Sequence, residues 1–343
     1  MTRRYEALDG LRGVAALTVV VTHAWLLLGF QPVAHGYLAV DYFFALSGFV
    51  IANAYELRLH NGMDLGAFVR ARAIRLYPMI VLGTLGGALA ALVTLQPRLP
   101  DLLDVMALQL LTLPAPFAHG LGFGLWPLDP PSWSLFWEFL ANVVFAMWLV
   151  RWTNRALAAL CVLGAFGLGA IALTRGSLEV GFTSDGFLLG GVRAIFSFTL
   201  GQLLYRAHAM GRLPALRSNL WLIAAALVGC FALPLKGGIV DLAIVTIASP
   251  TLLIASISSN GDGRLWSWSG RLSYPLYLVH YPLLVAVLAM QPSGLPVGVR
   301  AMWVAGFVLA AIALAAAALL AYDEPVRRAL NRKSIAMRPQ TIE

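Results

Sequence analysis

His23 lies near the middle of an apolar stretch running from Val14 to Phe30, and Arg12 precedes it by eleven residues. An ionisable side chain at that depth is expensive to hold in hydrocarbon, so its presence points to function before anything else about the chain is considered. At about 100° per residue, eleven helical residues bring the two side chains back to within roughly 20° of one another, separated by about 16 Å of rise. One helix therefore presents a cation near a membrane face and an imidazole at mid-depth.

A second set of candidates is the run Arg70, Arg72 and Arg75 ahead of Leu76-Tyr77-Pro78. On a helix, Arg72 and Arg75 share a face at i, i+3 spacing, and their planar forks suit a phosphate or pyrophosphate group. Spacing alone does not separate that reading from the ordinary basic flank of a membrane helix. If the first three helices pack together, Arg12 joins the pair in an anion-docking site at one membrane face. A ligand with a long arm, held there, could reach His23.

The remaining ionisable residues inside apolar stretches are Asp41, Glu138, Arg193 and His280. Such residues usually face the bundle interior or a wet cavity and pair with one another. Asp41 and Arg193 read equally well as a structural ion pair that locks helix packing. Cys161 and Cys230 also fall in apolar stretches, and the chain carries no His-x-x-x-His pair and no nucleotide-binding glycine pattern. Neither a disulfide framework, nor a metal site, nor a permanently bound cofactor is expected.

The elements that carry these residues follow from composition. With 60% hydrophobic residues, 12% charged ones and a mean hydropathy of +0.79, the chain is expected to be an all-α polytopic membrane protein. Apolar runs of about 20 residues give about ten spans, near 13–30, 37–55, 75–95, 132–150, 156–173, 187–205, 219–235, 238–257, 272–290 and 300–321. With both termini cytoplasmic, all 24 lysines and arginines fall inside except Arg98, Arg175, Lys236, Arg300 and the intramembrane Arg193. That asymmetry supports the alternation, because one missed span would scramble every later loop. The net charge of +8 is then accounted for by topology and anionic lipid headgroups, and calls for no nucleic acid. Residues 1–325 read as a single transmembrane domain and 326–343 as a basic cytoplasmic tail. The one long outer connection, Gln96 to Pro131, holds an apolar piece at Leu102 to Leu113 that suits a re-entrant or interfacial element.

Six short segments occur in order: Leu8-Asp9-Gly10-Leu11-Arg12-Gly13 with His23; Phe43-Phe44-Ala45-Leu46-Ser47-Gly48-Phe49; Arg72-x-x-Arg75-Leu-Tyr-Pro78; Pro131-Ser132-Trp133-Ser134-Leu135-Phe136-Trp137-Glu138; Leu272-Ser273-Tyr274-Pro275-Leu276-Tyr277-Leu278-Val279-His280-Tyr281-Pro282; and Tyr322-Asp323-Glu324-Pro325. In these the chain resembles the acyltransferase-3 family of membrane acyltransferases along nearly its whole length. The resemblance implies a multi-pass inner-membrane enzyme that moves an acyl group, commonly acetyl, from cytoplasmic acyl-CoA to a carbohydrate hydroxyl at or beyond the outer face. It also implies that the Arg12 to His23 spacing and the Arg72-x-x-Arg75 element carry function, with the arginines as the acyl-CoA site.

Under that reading His23 is the expected catalytic base, removing a proton from the acceptor hydroxyl as it attacks the thioester. Glu138 is the second catalytic candidate, orienting His23 or binding the sugar. Arg193, Tyr277 and Ser47 are candidate donors to the developing oxyanion, and Asp41 and His280 complete the intramembrane polar set. Direct transfer and a covalent acyl intermediate both fit these residues. One departure from the family's pattern is that Glu138 is followed by Phe139 rather than by a second acid. The chain also ends about twenty residues past the tenth span with no appended extracytoplasmic domain, so it would act alone or hand its acyl group to a separate transferase partner. The competing class is a transporter or flippase, for which intramembrane charges and Gly/Pro-interrupted helices are also expected. Against it stand the absence of visible two-fold sequence symmetry and the concentration of arginines on one face.

Overall fold

The computed structural model describes residues 5–117, 120–216, 218–259 and 263–336. Arg3, Arg4, Arg217 and the tail beyond 336, all of which entered the charge argument, lie outside the described residues. The described residues form helices and connecting loops, with no strand among them.

The chain opens with α1 (Glu6–His23) and a one-turn α2 (Trp25–Leu28), followed by α3 (Ala39–His60) and α4 (Leu65–Thr94). A 12-residue α5 (Leu99–Leu110) packs on α4. Then come α6 (Trp133–Met147), α7 (Asn154–Arg175), α8 (Phe187–Ala209), α9 (Leu220–Phe231), α10 (Gly238–Ala243), α11 (Ser249–Ile257), α12 (Arg264–Met290), α13 (Val297–Ala318) and α14 (Glu324–Ala336). Each of the ten expected spans coincides with a helix. Among the described residues, 8 helical segments are long and apolar enough to cross a membrane, α10 and α11 counting as one continuous segment. The two that fall short are α6, with 15 residues, and α9, with 12. α6 stops at a 3-10 turn over Leu149–Arg151, and α9 is followed closely by Pro234 and the positive-φ Gly237. The apolar piece of the long connection is α5, too short to span.

Several helices begin well before their apolar run. α1 starts at Glu6, α12 at Arg264, and α4 at Leu65, where the Asp64 side chain accepts from the Ala67 amide at 3.2 Å. Hydropathy registers only the part of a helix that sits in hydrocarbon. The polar first turns continue the same hydrogen-bond ladder in water, so Arg72 and Arg75 lie inside α4.

Close backbone contact sets the bundle centre. α1 and α12 touch through Gly10, Gly13 and Gly270, and Ser269 Oγ donates to the Gly10 carbonyl at 2.9 Å. A Cβ at Gly270 would stand 2.6 Å from the Asp9 carbonyl oxygen. α3 and α8 meet in the same way, Gly48 against the Phe198 carbonyl and Gly201 against that of Ala45. Small residues at such crossings let helices approach until dispersion and short polar contacts hold them, which is the available driving force where the solvent is lipid. Around these pairs, α4 and α13 pack on α12, and α6 and α7 pack on α8.

The loops at one end of the bundle bond to each other. His35 N donates to the Phe231 carbonyl at 2.8 Å, Leu125 N to that of Phe182 at 2.8 Å, and an Arg300 Nη to that of Leu28 at 3.1 Å. These are the loops that the charge alternation assigned to a single face, and Arg12, Arg72 and Arg75 lie toward the opposite end.

Candidate active site

Two neighbouring cavities are lined by the described residues that concern the site. One, of about 140 Å³, is lined by Arg12, Arg72, Arg75, Ser47, Glu138 and Tyr274. The other, of about 590 Å³, is lined by His23, Gln31, Trp133, Glu179, Arg193 and Tyr281 among others, and has a mainly apolar wall. Val40 of α3 and Tyr277 of α12 line both. Tyr277 is the partition: its hydroxyl lies 2.8 Å from Ser134 Oγ and 3.1 Å from the Pro131 carbonyl oxygen.

In the arginine cavity the guanidinium groups are poorly matched by protein. Arg72 reaches Glu138 Oε1 only at 3.6 Å, and its Nε is buried with no partner among the described residues. Arg75 lies over the Tyr274 ring at 5.5 Å, while Tyr274 directs its hydroxyl to the Leu76 carbonyl at 2.7 Å. Arg12 pairs with Asp9, one turn earlier, at 3.1 Å. Glu138 accepts from Ser47 Oγ at 2.9 Å. With Arg12 paired to Asp9, Arg72 and Arg75 still face only Glu138 among the residues that line the cavity, which leaves it positive and suited to an anion that brings several acceptor oxygens.

His23 is the last residue of α1, where the helix breaks at Ala24 before α2. It is half-buried, and its Nδ1 lies 3.0 Å from Nε2 of His280, which is fully buried on α12. Tyr281 packs edge-on against the His23 ring at 5.4 Å. The ring partner of His23 is therefore His280, whereas Glu138 sits with Ser47 and Arg72 in the other cavity.

Arg193 and Asp41 form a bidentate pair, Nε to Oδ1 at 3.2 Å and Nη2 to Oδ2 at 2.6 Å, each about 1% exposed. Arg193 also donates to the Val180 and Tyr37 carbonyls, at 2.7 and 3.1 Å, and its guanidinium lies 5.2 Å from the Trp133 ring centre. It ties the 176–186 loop to α3 and forms part of the histidine-cavity wall. Trp137 of the same Trp-Ser-Leu element packs against Phe136 and Phe187.

Sequence reasoning passed over several polar groups here. Asp129 is fully buried. Its Oδ2 accepts from Ser132 Oγ at 2.8 Å, its Oδ1 has no partner among the described residues, and burial pushes the carboxyl up to about 7. His35 and Asp241 form a buried pair at 2.6 Å, which Tyr37 and the Leu178 amide join. Glu179 brings a carboxylate to the histidine cavity. The Asp-Pro-Pro-Ser string of residues 129–132 was the one readable signal among these, since it brackets an acid with a turn just before a helix.

The protein is thus a multi-pass helical one in which a histidine pair and an arginine-rich chamber meet across Val40 and Tyr277. The chain belongs to the acyltransferase-3 family: the model of that family, described as an acyltransferase domain, matches residues 5–322. It is accordingly an O-acyltransferase. It is similar to the exopolysaccharide production protein ExoZ of Rhizobium meliloti (strain 1021), 30% identical over 308 residues that cover 85% of this chain and 90% of that one. It is also similar to protein 2 in the picA locus of Rhizobium radiobacter, 42% identical over 166 residues that cover 44% of this chain and 86% of that one. No solved structure matches the chain.

Proposed function

We propose that the protein transfers an acyl group from acyl-CoA, with acetyl-CoA as the favoured donor, to a hydroxyl of an exported or cell-envelope carbohydrate. Arg12, Arg72 and Arg75 hold the CoA phosphates at the cytoplasmic side of the inner membrane, with both termini on that side. The pantetheine arm carries the thioester past Tyr277 toward His23, a distance comparable to the roughly 16 Å rise between Arg12 and His23. The acceptor occupies the histidine cavity, whose aromatic wall suits a sugar ring and whose Gln31 and Glu179 suit its hydroxyls. The observation that carries this reading is the pair of cavities, one cationic and one holding His23, that meet at Val40 and Tyr277. The name of the similar ExoZ, an exopolysaccharide production protein, favours a polysaccharide acceptor.

In the transfer, the His23 imidazole takes the acceptor's hydroxyl proton while the oxygen attacks the thioester carbon. A carbon–oxygen bond forms, the carbon–sulfur bond breaks, and the departing CoA thiolate takes up that proton. Tyr277 and Ser134 stand where the carbonyl oxygen would pass.

The test is the purified protein in proteoliposomes, supplied with acetyl-labelled CoA donor and polysaccharide extracted from a strain deleted for this protein. Label is expected on the carbohydrate with release of CoA thiol, and the His23→Ala variant is expected to fold normally and transfer nothing. Movement of saccharide across the vesicle without consumption of donor, or wild-type turnover by His23→Ala, overturns the reading.

A further inference from the structure

We infer that His280 is a positioning residue that fixes the tautomer of His23, holding the proton on Nδ1 and turning the Nε2 lone pair toward the histidine cavity. The inference rests on the reading of His23 as the base that takes the acceptor's proton, and gives that base a defined atom.

Four atoms stand in line, the Leu276 carbonyl oxygen, His280 Nδ1, His280 Nε2 and His23 Nδ1, and each sets the role of the next. The Leu276 carbonyl oxygen lies 3.0 Å from His280 Nδ1. A carbonyl oxygen only accepts, so His280 Nδ1 carries a hydrogen. In an uncharged imidazole the other nitrogen is then a lone pair, and His280 Nε2 is the nitrogen 3.0 Å from His23 Nδ1. Two lone pairs do not face each other at that distance, so His23 Nδ1 carries the hydrogen that His280 accepts. The neutral His23 ring is left with an unprotonated Nε2. The geometry agrees with a bond and not with face-on packing: the ring centroids are 5.1 Å apart, well beyond the nitrogen separation, and the planes are inclined by only 30°. The rings meet nitrogen to nitrogen at their edges.

Both ends of this relay are held by backbone. His280 is fully buried, and its Nδ1 is anchored one turn back on its own helix. α12 is held against α1 by the Gly13 and Gly270 contacts, which fixes the separation of the two rings. No carboxylate bonds either ring among the described residues; the Val19 carbonyl, one turn back on α1, also bears on the His23 ring, and the group that faces Nδ1 at 3.0 Å is a second neutral imidazole that accepts a proton it never takes. Such an acceptor sets direction without drawing the base toward the charged state, as a buried carboxylate partner would.

His280→Gln and His280→Leu separate position from bulk, because the glutamine Oε1 stands where Nε2 stood and accepts from His23 Nδ1, whereas leucine accepts nothing. The expected result is kcat within several-fold of wild type for His280→Gln. For His280→Leu, kcat is expected to fall at least about 100-fold, on the scale between a lost orienting partner and a wrong tautomer, with the KM for acetyl-CoA unchanged. Nitrogen-15 NMR of ring-labelled histidine in the detergent-solubilised protein, assigned by difference against His23→Gln, reads the tautomer directly and without substrate. His23 is expected to show its proton on Nδ1 in wild type and a mixture or a shift to Nε2 in His280→Leu. A wild-type His23 protonated at Nε2, or a His280→Leu protein with wild-type kcat, overturns the inference. If the nitrogen pattern holds but wild type transfers no acyl group, the proposed function fails and the tautomer assignment stands.

Discussion

Arg193 and Arg72 are buried arginines in one bundle, and their surroundings could hardly differ more. Arg193 meets Asp41 with both ends of its fork, adds the Val180 and Tyr37 carbonyls, and lies over Trp133. Among the described residues, Arg72 has a single acid at 3.6 Å and a buried Nε with no partner. A guanidinium out of water demands acceptors. Where the protein supplies them, the residue braces the packing; where it does not, the open donors suit the anionic ligand of the proposed function. The same residue type is therefore set to two different uses by how far its hydrogen bonds are met.

The largest expected effect attacks the brace. Arg193→Leu leaves Asp41 buried and uncompensated, which typically costs about 3–5 kcal/mol. The variant is expected to lose most of its folded yield in detergent, and Asp41→Asn in the same chain to restore part of the melting temperature. If Arg193→Leu melts like wild type, the ion pair is not structural and the contrast fails. Arg72→Gln and Arg75→Gln should do the opposite, leaving thermal stability unchanged or raised while weakening donor binding. Charge-assisted contacts of about 1.5–3 kcal/mol predict a rise of about 10- to 100-fold in the KM for acyl-CoA. Equal donor affinity in wild type and both variants, measured by calorimetry with a nonhydrolysable CoA thioether, removes the docking site.

The smallest effect concerns Asp129, a buried acid treated like neither arginine, with one oxygen bonded and one orphaned. Its folded carboxyl, pushed up to about 7 from an ordinary 3.8, holds a proton that the unfolded chain releases. Its contribution to stability is thus full below the ordinary value and is lost as pH rises through the folded one. Asp129→Asn keeps the acceptor for Ser132 and has no charge to bury. It is expected to melt with wild type near pH 4 and several degrees above it at pH 8. Melting curves that stay parallel across that range contradict the assignment.

Much of this was legible in the sequence where the information is local. The eleven-residue spacing of Arg12 and His23 translates into one helix face, and Arg72 with Arg75 proved to lie within a single helix, α4. The Asp41–Arg193 pairing was readable because two opposite charges in apolar segments have few alternatives. What could not be read was which long-range partner each polar group chooses. His280 is 257 residues from His23, and the packing of α12 on α1, close at Gly10, Gly13 and Gly270, brings them together. Shared depth pairs Glu138 with His23 in the sequence, whereas the structure places it with Ser47, on the far side of Tyr277. Asp129 and the His35–Asp241 pair sit in or against irregular segments, where no periodicity announces a facing side chain. α6 and α9 are shorter than their apolar runs, and α1, α4 and α12 longer, for one reason: apolar content marks depth in lipid, while helix ends are set by caps, glycines and prolines.

The bare backbone contact between α1 and α12 also decides what substitution there would do. With Gly13 and Gly270 each set against the opposite main chain, a methyl group at either position would have to push the two helices apart. The displacement would fall on the separation of the His23 and His280 rings, which ride on the same two helices.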